Sequence, residues 1–294
     1  MDNRNEVREF LTTRRAKITP EQAGIPVYGR RRVPGLRREE VAQLAGLSTD
    51  YYTRLERGSL RGASDSALDA VSRALRLDAA EREHLHDLAR AARGGAAREP
   101  RRRARPQQVR PSIQHMLDSM TTAVAVVLNG TFDIVARNSL GRAFYAPVFD
   151  APARPANLAR FCFLDPGAEA FYPDWAEIAD TTVALLRAEA GRDPYNRALT
   201  DLVGELATRS DAFRARWAAH DVRLHHAGTK RFRHPVVGDL TLGFNSMELP
   251  PGPGLILTVY TAEPGSAAED NLALLASWAA TEHPAPDNAE ADQR

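Results

Sequence analysis

Apolar residues recur at helical spacing through the first ninety positions. Val7, Phe10 and Leu11 mark one face, Val41, Leu44 and Ala45 a second, Tyr52 and Leu55 a third, Leu68, Val71 and Leu75 a fourth, and Leu85 with Leu88 a fifth. A repeat of three to four residues is that of an amphipathic helix, so this stretch predicts five helices, with Gly46, Gly58 and Gly62 in the turns between them. The pattern changes after residue 112. AVAVVLNGTFDIVA (123–136) is two short apolar runs around Asn129-Gly130, a pair that favours a tight hairpin. Residues 174–190, 196–209 and 211–219 return to helical spacing, with Asp174, Asn196 and Asp211 at plausible first positions. Residues 222–227, 230–234, 240–249 and 255–261 read as strands separated by Gly/Pro turns. Two strands, several helices and three or four strands predict an α+β domain, an antiparallel sheet with helices on one side.

Between the two patterns lies ARGGAAREPRRRARPQQVRP, polar and without apolar periodicity. It reads as a linker over 93–111, dividing a first domain (1–92) from a second (112–280), with a Pro- and acid-rich tail over 281–294 that predicts disorder. Charge sharpens this division. The net charge of the 294 residues is only +1, yet residues 1–110 hold 24 Lys and Arg against 15 Asp and Glu, and the rest hold 15 against 23. A basic first third points to a polyanionic partner for that part alone. A single cysteine, Cys162, excludes an internal disulfide and a cysteine-based zinc site. No apolar run approaches a membrane span and the N-terminus lacks a signal-peptide core, so a cytoplasmic location with no membrane partner is expected.

The most informative stretch is Arg37–Gly58, RREEVAQLAGLSTDYYTRLERG. Two short helices crossing through a tight turn need a small residue at the crossing and a residue tolerant of left-handed backbone at the turn. Ala42 and Gly46 fill those places. Leu47 plugs the core, Ser48 or Thr49 caps the second helix, and Tyr52 and Leu55 point inward. Thr49, Asp50, Thr53 and Arg54 are left on the opposite face, where a helix in a major groove presents base-reading groups. This stretch, E-x-V-A-x-x-A-G-x-S-x-x-Y-Y-x-x-L-E-x-G, resembles the lambda-repressor-like, XRE-family helix-turn-helix domain, over about residues 4–90. The resemblance implies that the helix from Thr49 to Arg57 reads double-stranded DNA. Arg37, Arg38, Arg57 and Arg61 then fall at phosphate-holding positions, and Arg30, Arg31 and Arg32 form a basic loop able to track the backbone or enter the minor groove. It also implies a buried Arg14–Glu56 ion pair.

The second domain lacks the motifs of an enzyme: no G-x-S-x-G, H-E-x-x-H, Walker loop or G-x-G-x-x-G is present, so no catalytic residue is expected. His220, His225, His226 and His234 cluster in sequence, but adjacent residues on a strand face opposite sides, and no metal site is expected. The region from about Ser112 to Trp278 resembles the ligand-binding domain of MmyB-like transcription regulators. Asn138 after the hairpin, PDW (173–175), ALLRAEAGRDP (184–194), LVGELATRSDAFRARWAAHDV (202–222) and HPVVGDLTL (234–242) carry the resemblance. It implies a PAS-like fold around an apolar pocket that takes a fatty-acid-like molecule and no other cofactor. Phe163, Tyr172, Trp175, Phe213 and Trp217 are the expected wall, and Arg187 or His220 the polar contact. The whole reads as a homodimeric regulator binding an inverted-repeat operator under control of a small apolar ligand; the alternative is a second domain that only dimerises.

Overall fold

A computed structural model of the chain describes residues 3–26, 31, 33, 35–94, 109–151, 155–219, 227–250 and 254–282. Five helices come first: α1 (Asn3–Lys17), α2 (Arg38–Ala45), α3 (Thr49–Glu56), α4 (Asp65–Ala74) and α5 (Ala79–Gly94). Helix α6 (Pro111–Asp118) precedes strands β1 (Val124–Leu128) and β2 (Ile134–Arg137). Four short helices follow, α7 (Ser139–Phe144), α8 (Ala146–Asp150), α9 (Leu158–Leu164) and α10 (Ala168–Phe171), then three longer ones, α11 (Trp175–Arg192), α12 (Arg197–Arg209) and α13 (Asp211–Ala218). Strands β3 (Ala227–His234), β4 (Gly238–Glu248) and β5 (Ile256–Thr261) and helix α14 (Ala267–Glu282) complete the order. The expected strand over 222–227 falls mostly outside the described residues, as do most of the expected linker and the tail.

The chain divides into two compact units, and the division is not the contiguous one expected from the linker. One unit joins residues 1–102 to 183–224; the other joins 103–182 to 225–294. Helix α11 therefore gives residues 175–182 to one unit and 183–192 to the other. The first unit is all helical. Its core is the predicted set, Val7, Phe10, Leu11, Val41, Tyr52, Leu55, Leu68, Val71, Leu75, Leu85 and Leu88, all buried, with Ala188 of α11 packed against it. Leu44 departs from expectation: it is exposed, on the outer side of α2. Asn196 and Ser210 cap α12 and α13, accepting from the amides of Leu199 and Phe213.

The second unit is built on a five-stranded antiparallel sheet in the order β2-β1-β5-β4-β3. Helices cover both faces where β1 lies, not one. Val124 and Val126 face a core with α7, α10 and α14, while Ala125 and Val127 face α6 through Leu117. Two-sided burial explains why this strand is an unbroken apolar run instead of an alternation. The β1–β2 connection is also not a two-residue Asn-Gly turn. It spans residues 129–133, the left-handed backbone falls on Phe132 (φ 64°), and the Asn129 side-chain oxygen accepts from the amides of Thr131 and Asp133. Asn138 is spent on structure: buried, it caps α7 at Gly141, accepts from Ala125 N and donates to the carbonyls of Met120 and Ala123.

Candidate nucleic-acid interface

Helix α2 begins with the Glu40 side chain turned back onto the Arg37 amide at 2.6 Å. It ends at Gly46, whose left-handed backbone (φ 66°, ψ 30°) lets Gly46 N and Leu47 N close onto the carbonyls of Gln43 and Ala42. Two residues later Ser48 caps α3, its hydroxyl accepting from Tyr51 N at 3.2 Å. This sharp reversal points Tyr52 and Leu55 into the core, fully buried, and leaves Thr49, Asp50 and Arg54 exposed with Thr53 half-buried beside them. The four expected base-reading side chains thus share the outer side of one short helix. Arg54 lies over the Tyr51 ring, 5.4 Å from its centre. These two side chains border a groove of about 510 Å³ that Leu47, Ser48, Ser64 and Ser66 also line.

The cations around this helix fall into two groups. Arg54, Arg57 and Arg61 are exposed and make no ion pair among the described residues, so their charge is available to phosphates. The others are engaged. Arg31 binds Glu40 through both terminal nitrogens at 2.7 Å and also donates to Gly35 O, which fixes the loop before α2. Arg37 lies 3.3 Å from Glu39. Arg38 donates to Glu56 at 2.8 Å. Arg30 and Arg32 lie outside the described residues. Sequence alone assigned all of these to DNA because it could not show which carboxylates each arginine meets.

Glu56 closes the recognition helix and is fully buried. The expected Arg14–Glu56 pair is not formed: Glu56 accepts from Arg15 at 2.8 Å, Arg38 at 2.8 Å and Thr12 at 2.9 Å, and Arg14 pairs with Glu81 at 3.0 Å. One residue further along α1 rotates the side chain by about a quarter turn, so Arg15, not Arg14, meets α3. Burial alone would raise the Glu56 carboxyl, but the bonds from Arg15 and Arg38 hold it below the ordinary carboxylate value.

The candidate ligand residues divide between the units. Phe163, Tyr172 and Trp175 lie in the sheet unit. The Trp175 indole donates to Cys162 O at 2.8 Å and meets Phe163 edge-on, and Tyr172 is buried among Phe161, Phe171 and Phe232. Arg187, Phe213 and Trp217 belong to the helical unit. There Phe213 stacks on Trp217, and the Arg187 guanidinium is fully buried, 4.1 Å from the Trp217 ring centre and ion-paired with Glu6 of α1. Arg187 is therefore committed to a carboxylate of its own chain. His220 lies outside the described residues. His234 is buried, accepts from Val236 N and contacts Ala143 O, and burial lowers it below the ordinary histidine value. A residue the sequence reading passed over is Lys230. Opposite Leu242 on the inner side of β3, its ammonium sits 4.4 Å from the Phe244 ring centre, with no carboxylate partner among the described residues. It borders a cavity of about 20 Å³, room for about one water, with Ile178 and Thr181. The signal was available: period-two alternation places Lys230 on the same side as Phe232.

Comparison with known families agrees with these two constructions. The family described as MmyB-like transcription regulator ligand binding domain matches residues 109–275, more than half the chain. The chain belongs to the MmyB-like transcription regulators. A helix-turn-helix domain family matches residues 9–85. No curated protein matches the chain. This MmyB-like protein is thus a DNA-binding transcription regulator with a ligand-binding domain, and both families are regulatory, which points away from catalysis. No described helix is long and apolar enough to cross a membrane.

Proposed function

We propose that this chain is a cytoplasmic homodimer that binds an inverted-repeat operator and responds to a small apolar, fatty-acid-like molecule held in its sheet unit. The observation that carries the DNA half is the exposed row of Thr49, Asp50, Thr53 and Arg54 on a helix braced from below by Tyr52, Leu55 and Glu56. A dimer presents two such helices about one turn of duplex apart, which matches a two-fold site. Strand order 2-1-5-4-3 with every neighbour antiparallel supports a PAS-like reading of the sheet unit. For the ligand, Phe163, Tyr172 and Trp175 remain the wall, and with Arg187 engaged by Glu6 the acidic end falls to Lys230. Selection of duplexes from a random pool by the purified full chain tests the DNA half; enrichment of a palindromic sequence is expected, and no enrichment at moderate salt overturns it. A chain-length series of fatty acids tests the other half, with Lys230→Met expected to weaken a fatty acid but not its methyl ester.

The closed aromatic packing of the sheet unit favours a second reading, a domain that only dimerises. Native mass spectrometry of the protein as purified separates the two. A co-purifying acyl chain supports sensing, and a bare dimer that takes up none of the series supports dimerisation alone.

A further inference from the structure

Residues 183–219 lie inside the span matched to the ligand-binding domain, yet they pack as part of the DNA-binding unit. The attachment is chemically specific. Arg187 of α11 is fully buried, and its guanidinium fork divides its donors between the Glu6 carboxylate of α1 and the backbone carbonyl of Trp217 in α13, while the Trp217 ring covers its face. Burial pulls the guanidinium below its ordinary value and Glu6 opposes that. His84 of α5, also buried, lies 3.8 Å from the same Glu6 oxygen, and its ring edge meets Phe10 of α1. Gly191 admits this approach: a Cβ there would stand 2.5 Å from His84 Cε1. So α1 is gripped near its start by the far end of α11.

The other end of α1 grips the DNA-reading helix. Thr12 and Arg15 hold Glu56, the last residue of α3, and Arg15 also donates to Leu36 O before α2. Gly58, just past α3, is pressed instead against the start of α1, where a Cβ would stand 2.6 Å from Arg4 O. Glu6, Thr12 and Arg15 lie on a single helix, which joins the Arg187 contact to Glu56.

From this chain of contacts we infer that Arg187 is a positioning residue for DNA recognition: through Glu6 and α1 it sets the placement of α3, making residues 183–219 the arm by which the ligand-binding domain acts on the reading helix. The inference rests on the DNA-binding reading given above. Because the grip uses a two-armed cation with one face covered, a lysine at 187 keeps charge but loses the fork. Glu6 and Arg187 are both buried, so their removal changes fit without removing an exposed cation.

The test uses the full chain as wild type, Glu6→Gln, Arg187→Met, Arg187→Lys and the Glu6→Gln/Arg187→Met double variant. Amide exchange over residues 3–17 and 49–56 and affinities for the selected palindrome and for a random duplex are compared. Glu6→Gln keeps the side-chain shape and serves should Arg187→Met not fold. The expected result is faster exchange in both α1 and α3 and about tenfold weaker palindrome binding, with random-duplex binding and the salt slope unchanged. Arg187→Lys recovers part of the loss, and the double variant is no worse than the worse single. Folded variants with wild-type exchange over 49–56 and wild-type preference for the palindrome overturn the inference. A wild-type chain that prefers no duplex overturns the DNA-binding reading instead, and the exchange arm then still decides whether Arg187 positions α3.

Discussion

The two units place their chemistry on opposite sides of their cores. In the helical unit the chemistry-bearing groups stand outside: Thr49, Asp50 and Arg54 are exposed because Tyr52 and Leu55 on the same eight-residue helix are fully buried. In the sheet unit the candidate ligand aromatics merge with the core: Tyr172 is buried against Phe161, Phe171 and Phe232, and Phe163 and Trp175 are half-buried. An outward site is defined by what the core does not use. An inward site is made of the same aromatic residues as the core, so residue type does not separate ligand wall from packing there. The difference can be broken or sharpened by experiment.

Core truncation gives the largest effect. Tyr52→Ala and Phe144→Ala each empty a fully buried aromatic position and should each cost about 3–5 kcal/mol. Amide exchange read unit by unit should show Tyr52→Ala loosening α1–α5 and α11–α13 residues 183–219, and Phe144→Ala loosening β1–β5. Loosening of the opposite unit in either variant would show that the division at 182/183 does not describe cooperative folding.

Acid separates the units next. Glu56 has a lowered folded value, so its stabilisation is full above the unfolded carboxyl value of about 4.3 and is lost as pH falls through the folded one. Hydrogen bonds to a charged group are worth about 1.5–3 kcal/mol, which sets the scale of that loss. His234 is a base with a lowered folded value. Its neutral form is favoured in the fold, so stability from it is full above the unfolded histidine value of about 6.5 and declines as pH drops below it. The sheet unit should therefore begin to weaken at a higher pH than the helical unit. Urea midpoints of wild type, Glu56→Gln and His234→Gln from pH 8 to pH 3 check this; Glu56→Gln should flatten only the limb below about 4.3. Identical limbs in all three proteins would remove both groups from the account.

Function at the outward site is third. Arg54→Ala should lose about 1–3 kcal/mol of operator affinity and relax sequence preference, with thermal stability unchanged because the side chain is exposed. Arg57→Ala should weaken all duplexes alike and reduce the salt slope by about one. Arg31→Ala tests the sorting of arginines by partner. Its charge is already held by Glu40, so it should reduce stability more than the salt slope.

How much of this was legible follows from the same contrast. In the Arg37–Gly58 stretch the turn and the cap are legible, because the roles of Gly46 at the turn and Ser48 at the cap are imposed by local backbone geometry. Partners far apart in sequence were not legible. Arg187 meets Glu6 across 181 positions, and nothing local distinguishes it from an arginine reserved for a ligand. The shift from Arg14 to Arg15 at Glu56 is similar, since one residue of helix rotation decides it and the rotation is set by packing. The hairpin around Asn129 is legible but the length of its turn is not, because Asn129 bonds its own loop at Thr131 and Asp133, which stabilises a longer turn than its dipeptide suggests.

The smallest expected effect bears on the inward site. Trp175 is half-buried and spends its indole N–H on Cys162 O, while its ring meets Phe163. Trp175→Phe keeps an aromatic face and loses the bond, which costs about 1 kcal/mol of stability. Trp175→Ala removes the face as well. If the ring is wall, acyl affinity should survive the phenylalanine and fall with the alanine, in titrations at equal folded fraction. If the ring is only core, both variants lose stability in proportion to what they remove, and acyl affinity per folded molecule stays constant. The ratio of those two affinities distinguishes a binding aromatic from a packing one, which residue type alone does not do in this unit.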